Sequence, residues 1–518
     1  MFKEYHRHQD YLLPPSVCDL ITPGDLVNVV AEVVDNFDIR PFERRYTCLG
    51  PNAYHPRMML GLLFYAYSQG VFSSRKIAER VRYDVRFMFI AGYQTPDFRT
   101  ISDFRKNHID LVKHYFVKIV RLCREVGLLP LRTVAIDGTK IQANASDSKL
   151  RDRDALVEEA KAVEAEIARM LALAQVTDDR ESDDPEAPEA QAHDGVPVGD
   201  LEQLRARLRQ VQAQLDAASG CDTVNLTDPE SRIMRDIGSG YNAQLAVDAE
   251  NGIIVGAEVV AEANDVHQLT PMVDQVEYNT ASQGEPKMAL ADAGYSSSAA
   301  CAELEARAHI DAYVPLPQDV HRERVRQEVP PFDKRHFSLD PVTGSGTCPL
   351  GQPMHTVQRG VNKRGRRYIA FRGTACPDCL RRCECTRAKY RHVELLLDDP
   401  ALERMRSKMQ TATGRRAMAM RRQTVEPVFG ILKEQLNFRR FKLRGLQKVK
   451  GEFALLCAAF DLKKLHRFLG GITLTQVMSA FNIELRPIYS LFLRLTATLR
   501  AVSARFLTLS ISNGVRYH

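Results

Sequence analysis

Apolar residues recur along this chain with more than one period, and each period predicts a different element. Up to about residue 125 the spacing is helical. Met58, Met59, Leu60, Leu62, Leu63 and Tyr65 follow His55-Pro56 as a strongly apolar helix. Ser73-Ser74 opens a second helix and Thr95-Pro96-Asp97 a third. Short helices with a basic second element fit a helix-turn-helix, and a plain helical bundle fits them at least as well. From Thr133 the pattern becomes that of a strand, Thr133-Val134-Ala135-Ile136-Asp137, and Asp137-Gly138 could be a hairpin turn into a second strand. Strand patterning resumes over Tyr241–Asp248, turns at Glu250-Asn251-Gly252, and returns over Ile253–Val260. Helices are expected at His267–Glu277 and Ser297–Arg307, with strands at Lys287–Ala291 and Ala312–Pro315. Strands alternating with helices predict an α/β layered fold.

Two insertions interrupt that fold. Leu156, Ala160, Val163, Ile167, Met170 and Ala174 form one heptad stripe, and Leu201, Leu204, Leu208, Val211 and Leu215 form another. Between them Thr177–Asp200 holds nine acids, one arginine and three prolines, which predicts a solvated linker joining an antiparallel helical hairpin. Residues 318–400 are rich in His, Arg and Cys. The apolar runs Phe453–Phe460 and Tyr489–Leu493 read as core helix, because neither approaches the ~20 residues of a membrane span. The opening Met1–Arg7 lacks the apolar stretch of a secretory leader.

Charge changes the picture more than composition does. The whole chain carries +6, with 44% hydrophobic and 26% charged residues, as in a soluble globular protein. Arg415–Lys450 alone holds eleven lysines and arginines against Glu426 and Glu434. A local block more positive than the entire chain points to a polyanionic partner, and the interleaved Phe438 and Phe441 favour nucleic acid over a merely solvated face. Five of the eleven cysteines cluster between 348 and 385. That clustering suits a metal site in a reducing cytoplasm better than a disulfide framework.

Three carboxylates carry the candidate chemistry. Asp137 closes Val134-Ala135-Ile136, Asp292 closes Met288-Ala289-Leu290-Ala291, and Glu426 begins Glu426-Pro427-Val428-Phe429-Gly430. Asp137 and Asp292 sit at strand ends, where α/β folds build sites. Two such acids with no arginine beside them in sequence repel unless a cation lies between them. Mg²⁺ suits hard oxygen ligands, and two ions roughly 3.5–4 Å apart can stabilise the attacking and leaving oxygens of a phosphodiester. Arg422, Glu426 and Lys433 fall at spacings that place them on one helical face, with Pro427 pushing Glu426 away from helical geometry. Cys348, Cys376, Cys379 and Cys385 form the best thiolate quartet for a tetrahedral structural Zn²⁺, leaving Cys383 spare.

The segments Ile136-Asp137-Gly138-Thr139-Lys140, Ala291-Asp292-Ala293-Gly294-Tyr295 and Thr424-Val425-Glu426-Pro427-Val428-Phe429-Gly430 together resemble the DDE transposases of bacterial insertion sequences. Those enzymes show Tyr-x2-Arg-x3-Glu-x6-Lys around the glutamate. Arg422, Glu426 and Lys433 match that spacing, and Ala419 departs from the tyrosine. The resemblance covers residues 40–465. It implies an α/β ribonuclease-H-like mixed sheet with flanking helices, and Asp137, Asp292 and Glu426 as ligands of two Mg²⁺ or Mn²⁺ ions. It further implies phosphate contacts from Arg422 and Lys433, cleavage at element ends, and transfer of a 3′-hydroxyl to target DNA without a covalent protein intermediate. Arg439, Arg440, Lys442 and Arg444 of the basic block join the expected DNA contacts. Asn144, Tyr241 and Asn242 are expected to have positioning roles at most.

The layout expected is a helical DNA-end-binding domain at 1–125, then a catalytic core at 126–147 and 219–317. The hairpin at 148–218 and the cysteine-containing insertion at 318–400 interrupt it. The catalytic helix with its basic block follows at 401–468, and the tail at 469–518 is unassigned. Expected partners are double-stranded DNA, as element ends and target, and a second copy of the chain on that DNA. No membrane is expected, and the expected location is a bacterial cytoplasm, at the nucleoid. A catalytically silent DNA-binding repressor or relic, and a metal-dependent nuclease without strand transfer, are the other readings.

Overall fold

Thr133–Gln142 forms one continuous strand, β1, and Asp137-Gly138 lies in its middle instead of at a hairpin turn. The reason is its partner. Strand β5 (Gly238–Asp248) pairs antiparallel with β1 along its whole length, from Val134 opposite Asp248 to Gln142 opposite Gly240. Gly138 is needed there for space. A Cβ on it would lie 2.5 Å from Gln244 Nε2 and 2.7 Å from Asp265 Oδ1.

This computed structural model describes residues 16–46, 53–183, 198–217, 220–280, 286–317, 331–361, 367–396 and 400–480. The chain divides into two units, Met1–Ala289 with Met420–His518, and Leu290–Ala419.

In the first unit β5 is the hub. One edge takes β1, and β7 (Met288–Leu290) follows beyond β1. The other edge takes β4 (Arg232–Met234) and β6 (Ile254–Val260), both antiparallel to β5. The turn into β6 closes as the sequence predicts. Gly252 takes φ +67°, and Asn251 N–H donates to Asp248 Oδ2 at 2.8 Å. Between β6 and β7 runs a helix over Leu269–Thr280.

The N-terminal residues are helical: α1 (Leu26–Asp35), α2 (Arg40–Glu43), α3 (Pro56–Ser68), α4 (Ser74–Tyr83), α5 (Val85–Ile90) and α6 (Phe98–Glu125). Asp97 caps α6 by accepting Thr100 N–H at 2.8 Å. The short basic second element of a helix-turn-helix is not what forms. This helix is 28 residues long and buries Ile101, Phe104, Ile109, Val112, Phe116 and Val120. It packs on the Leu446–Leu469 helix, which is buried from Phe453 to Leu462, as expected for core. A bundle explains this region because its apolar stripe is consumed by internal packing.

The predicted hairpin is present as α7 (Arg153–Asp183) and α8 (Val198–Ala217). At its base β2 (Leu150–Asp152) pairs with β3 (Thr223–Asn225). Leu156, Ala160, Val211 and Val224 make a small core there. Most of the acidic linker lies outside the described residues, as do Tyr489–Leu493 and the tail beyond Ala480.

The second unit holds β8 (Asp311–Tyr313) and two packed helices, Ser298–Ala306 and Pro400–Gln410, joined by Arg404 to Glu305 at 2.6 Å. It also holds an antiparallel sheet in the order β13-β12-β11-β10-β9. Those strands are β9 (Ser338–Leu339), β10 (Ser345–Thr347), β11 (Pro353–Val361), β12 (Arg367–Gly373) and β13 (His392–Leu396). Phe337, Met354, Ile369, Phe371 and Val393 form its core. No described helix is long and apolar enough to cross a membrane.

Candidate active site

Strand alternation decides what Asp137 meets. Residues 137 and 139 share one face of β1, and 138 and 140 share the other. On the first face Asp137 Oδ2 lies 2.8 Å from Arg421 Nη2, with both side chains largely buried. Asp137 Oδ1 accepts the following Gly138 N–H at 2.9 Å. Lys433 docks on the same face, donating to Thr139 Oγ1 at 2.5 Å and to the Lys140 carbonyl at 3.0 Å. Burial there pushes the Lys433 ammonium pKa down. On the opposite face Asn242 and Gln244 donate to Asp265 Oδ1 at 2.7 and 2.6 Å.

Arg421 and Lys433 come from one helical run. The Ala412–Gly430 helix passes through Pro427 without ending, and a π-helical turn follows over Ile431–Gln435. Glu426 therefore sits inside the helix. The expected departure from helical geometry does not occur. Arg421, Val425, Val428 and Leu432 are buried, whereas Arg422 and Glu426 share the exposed side. Lys433 leaves that side and turns to β1, because the wider π turn changes the residue count per revolution. The sequence singled out Arg422. The arginine that reaches Asp137 is its neighbour, and only the helix phase could have identified it.

Asp292 belongs to the second unit. It follows β7 and caps the short turn Ala293–Tyr295, accepting Gly294 N–H at 2.8 Å. Carboxylate oxygens are suitable donors for a hard divalent ion. Among the described residues, however, no group of three or more His, Cys, Asp or Glu side chains is arranged to hold a metal ion.

The basic block is a built turn. Gln142 N–H donates to the Arg439 carbonyl at 3.2 Å and Phe441 N–H to the Gln142 carbonyl at 2.9 Å, so residues 439–441 extend the sheet beside the end of β1. Asn144 Nδ2 donates to the Lys442 carbonyl at 2.7 Å. Buried Glu452 accepts Lys442 and Leu443 N–H at 2.8 and 2.9 Å. Arg439 pairs with Glu434. Phe438 and Phe441 are 1% and 0% exposed and pack edge-on to each other. They are therefore core anchors of the turn and are not available for stacking on bases. Tyr241 OH donates to Asp228 Oδ1 at 2.7 Å, a structural contact beneath the same turn.

In the second unit Cys348, Cys376, Cys379 and Cys385 line one cavity of about 30 Å³. Arg391 N–H donates to Cys376 Sγ at 3.4 Å. Burial pushes the Cys385 thiol pKa up, and the nearby Cys376, Cys348 and Cys379 add to that shift while Arg391 opposes it. Cys383 is exposed, as the spare residue of the set should be.

Two stretches of the chain match protein families. Residues 347–466 match a family described as "Transposase DDE domain", and residues 15–107 match one described as "Transposase domain (DUF772)". The first match includes the cysteine quartet, Glu426 and the basic turn; Asp137 and Asp292 lie outside both. Among solved structures, a cryo-EM structure of a piggyBac transposase synaptic complex with hairpin DNA aligns over 98% of this chain and 88% of that one. The identity is 11% and the TM-score 0.30. No curated protein matches the chain.

Proposed function

The chain is a DDE transposase by the family segments it carries, and on that premise we propose that Asp137, Asp292 and Glu426 are its catalytic carboxylates on a ribonuclease-H-like core. The observation that carries this reading is the double attachment of the Glu426 helix to β1. Arg421 grips Asp137 on one side of Glu426, and Lys433 grips Thr139 and Lys140 on the other. Glu426 is ~7.5 Å along the helix axis from Arg421 at the usual rise per residue. The helix bearing one candidate acid is thus locked to the strand bearing another.

The family implies a divalent metal. Mg²⁺ or Mn²⁺ held by these oxygens would activate the attacking hydroxyl and support the leaving oxygen of a phosphodiester. The chain's own groups do the rest. Arg421 neutralises Asp137 and keeps its carboxylate oriented. A guanidinium is also a bidentate phosphate ligand, so a DNA phosphate arriving at β1 competes with Asp137 for it. Exposed Arg422 lies beside Glu426 for a second phosphate contact. The partner is double-stranded DNA, as element ends and target, bound by two copies of the chain. The N-terminal helices are proposed as the end-recognition part.

In the second unit we assign Cys348, Cys376, Cys379 and Cys385 to a structural Zn²⁺. Four thiols round one small cavity, one of them accepting a backbone N–H, match the donor set such a site needs. Elemental analysis of protein purified without chelator should find one zinc per chain. The double variant Cys376→Ser/Cys379→Ser should lack it and become protease-sensitive within residues 331–396. Zinc-free wild-type protein would overturn the assignment.

The central test uses plasmid DNA carrying the sequences that flank the gene, with Mg²⁺ or Mn²⁺. Wild-type protein should give cleaved ends and joined products. Asp137→Asn should give neither while still binding the duplex. Products that survive in Asp137→Asn would remove Asp137 from the site. Cleavage without joined products would make the protein a nuclease. Binding without any metal-dependent product would make it a repressor.

A further inference from the structure

Beyond the end of β1 lies a cleft of about 570 Å³, wholly within the first unit. Gln142, Asn144, Ser146, Lys149, Arg440 and Arg444 are among its walls. No aromatic side chain lines it, so it offers no platform for base stacking. It offers hydroxyl, amide, ammonium and guanidinium donors. Its one carboxylate, Asp147, is engaged through Oδ1 by the Ser239 N–H at 2.9 Å, and that bond lowers its pKa.

The two arginines are held in a shared manner. Arg440 Nε donates to Gln142 Oε1 at 3.3 Å, and Arg444 Nε donates to the Asn144 carbonyl at 2.9 Å. Each guanidinium is anchored at its inner nitrogen, which leaves the outer pair for a ligand. The anchors are two residues apart on one extended segment, ~6.6 Å by strand rise. That spacing is comparable to the step between neighbouring phosphates of one DNA strand. Asn144 supports the arrangement twice. Its carbonyl fixes Arg444, and its side-chain amide fixes the Lys442 carbonyl in the same turn.

We propose that this cleft is a DNA-backbone subsite in which Arg440 and Arg444 bind neighbouring phosphates of the strand passing Asp137, with Asn144 as the positioning residue. The proposal rests on the transposase reading. Gln142 is five positions beyond Asp137, ~17 Å along β1. The bound phosphates therefore belong to nucleotides a few steps from the one that meets Asp137. A polar, cationic cleft without aromatics selects the backbone and not the base, so contact here is independent of sequence.

The test measures full-length protein binding to a labelled random-sequence duplex between about 50 and 200 mM salt. Each phosphate contact contributes about 0.9 to the slope of log affinity against log salt, so Arg440→Ala/Arg444→Ala should flatten it by about 1.8. Asn144→Ala, with no change of charge, should weaken binding several-fold and be rescued by Asn144→Gln only in part. The control Arg169→Ala/Arg207→Ala removes the same charge from the hairpin, where both arginines already pair with glutamates. It should keep the wild-type slope. A wild-type slope in Arg440→Ala/Arg444→Ala, or an equal loss in the control, overturns the subsite while leaving the transposase reading intact. Wild-type protein with no salt-dependent duplex binding overturns both.

Discussion

Arg421 and Asp137 are far apart in the chain and 2.8 Å apart in the fold. The pair is mostly shielded from water, so removing one partner leaves the other charge stranded. Arg421→Ala should destabilise the protein by about 3 kcal/mol in metal-free buffer, as expected for a broken buried ion pair. Removing the guanidinium also removes the cation that competes with a metal for Asp137. Added Mn²⁺ should therefore recover part of the lost Tm in the variant and move wild type less. Thermal melts with and without Mn²⁺ decide it; equal metal responses in both proteins would contradict the proposed role of Asp137.

Glu452 is fully buried and accepts Tyr67 OH at 2.9 Å as well as the two amides of the basic turn. Arg105 Nη1 donates to Tyr67 OH at 3.0 Å, which supplies the positive charge of the network. Glu452→Gln weakens charge-assisted bonds and turns an amide NH₂ towards donors, at a cost of about 2 kcal/mol. Tyr67→Phe should cost about 1 kcal/mol. The double variant should lose less than the two costs combined, because both act in one network. Strict additivity in denaturant titrations would show that the residues are not coupled.

Gly138→Ala should cost about 1–3 kcal/mol, the usual range for overpacking. The added methyl would press on Gln244 Nε2 and Asp265 Oδ1, both held in the polar network behind β1. Chemical denaturation measures the cost. A neutral Gly138→Ala would mean that β1 and β5 separate more easily than their register suggests.

Asp248 is buried at the end of β5, with Oδ2 accepting Asn251 N–H. Burial, aided by Glu250, pushes its pKa up to about 7. An unfolded aspartate titrates near ~3.9. Between those values the folded state holds the extra proton, so stability falls as pH rises through the window and levels off above it. Asp248→Asn should melt with a flatter pH profile and gain on wild type from pH ~5 to ~8. Parallel profiles would assign the pH dependence to another group.

Local patterns in the chain were legible wherever a partner was near in sequence. Asn251-Gly252 between two alternating runs predicted the β5–β6 hairpin, and two heptad stripes predicted α7 and α8. The apolar run Phe453–Phe460 predicted a core helix. Each of these depends on a period or a turn preference that a few adjacent residues carry. The three candidate acids were also identifiable by their settings, and Arg439 to Arg444 by charge density.

The remaining features depended on residues distant in the chain. Asp137-Gly138 has the composition of a turn, yet it lies mid-strand because β5 pairs across it and Gly138 makes room for Gln244. Phe438 and Phe441 resemble bases' stacking partners in sequence and are core anchors in the fold. Pro427 suggests a helix start, yet the packing of Val425, Val428 and Leu432 carries the helix through it. The sequence by itself determined the element types, the basic turn and the acids available for chemistry, because those follow from local periodicity and side-chain identity. Only the tertiary structure decided that Arg421 pairs with Asp137 while its neighbour Arg422 stays exposed, because helix phase and burial distinguish two adjacent arginines that composition treats alike.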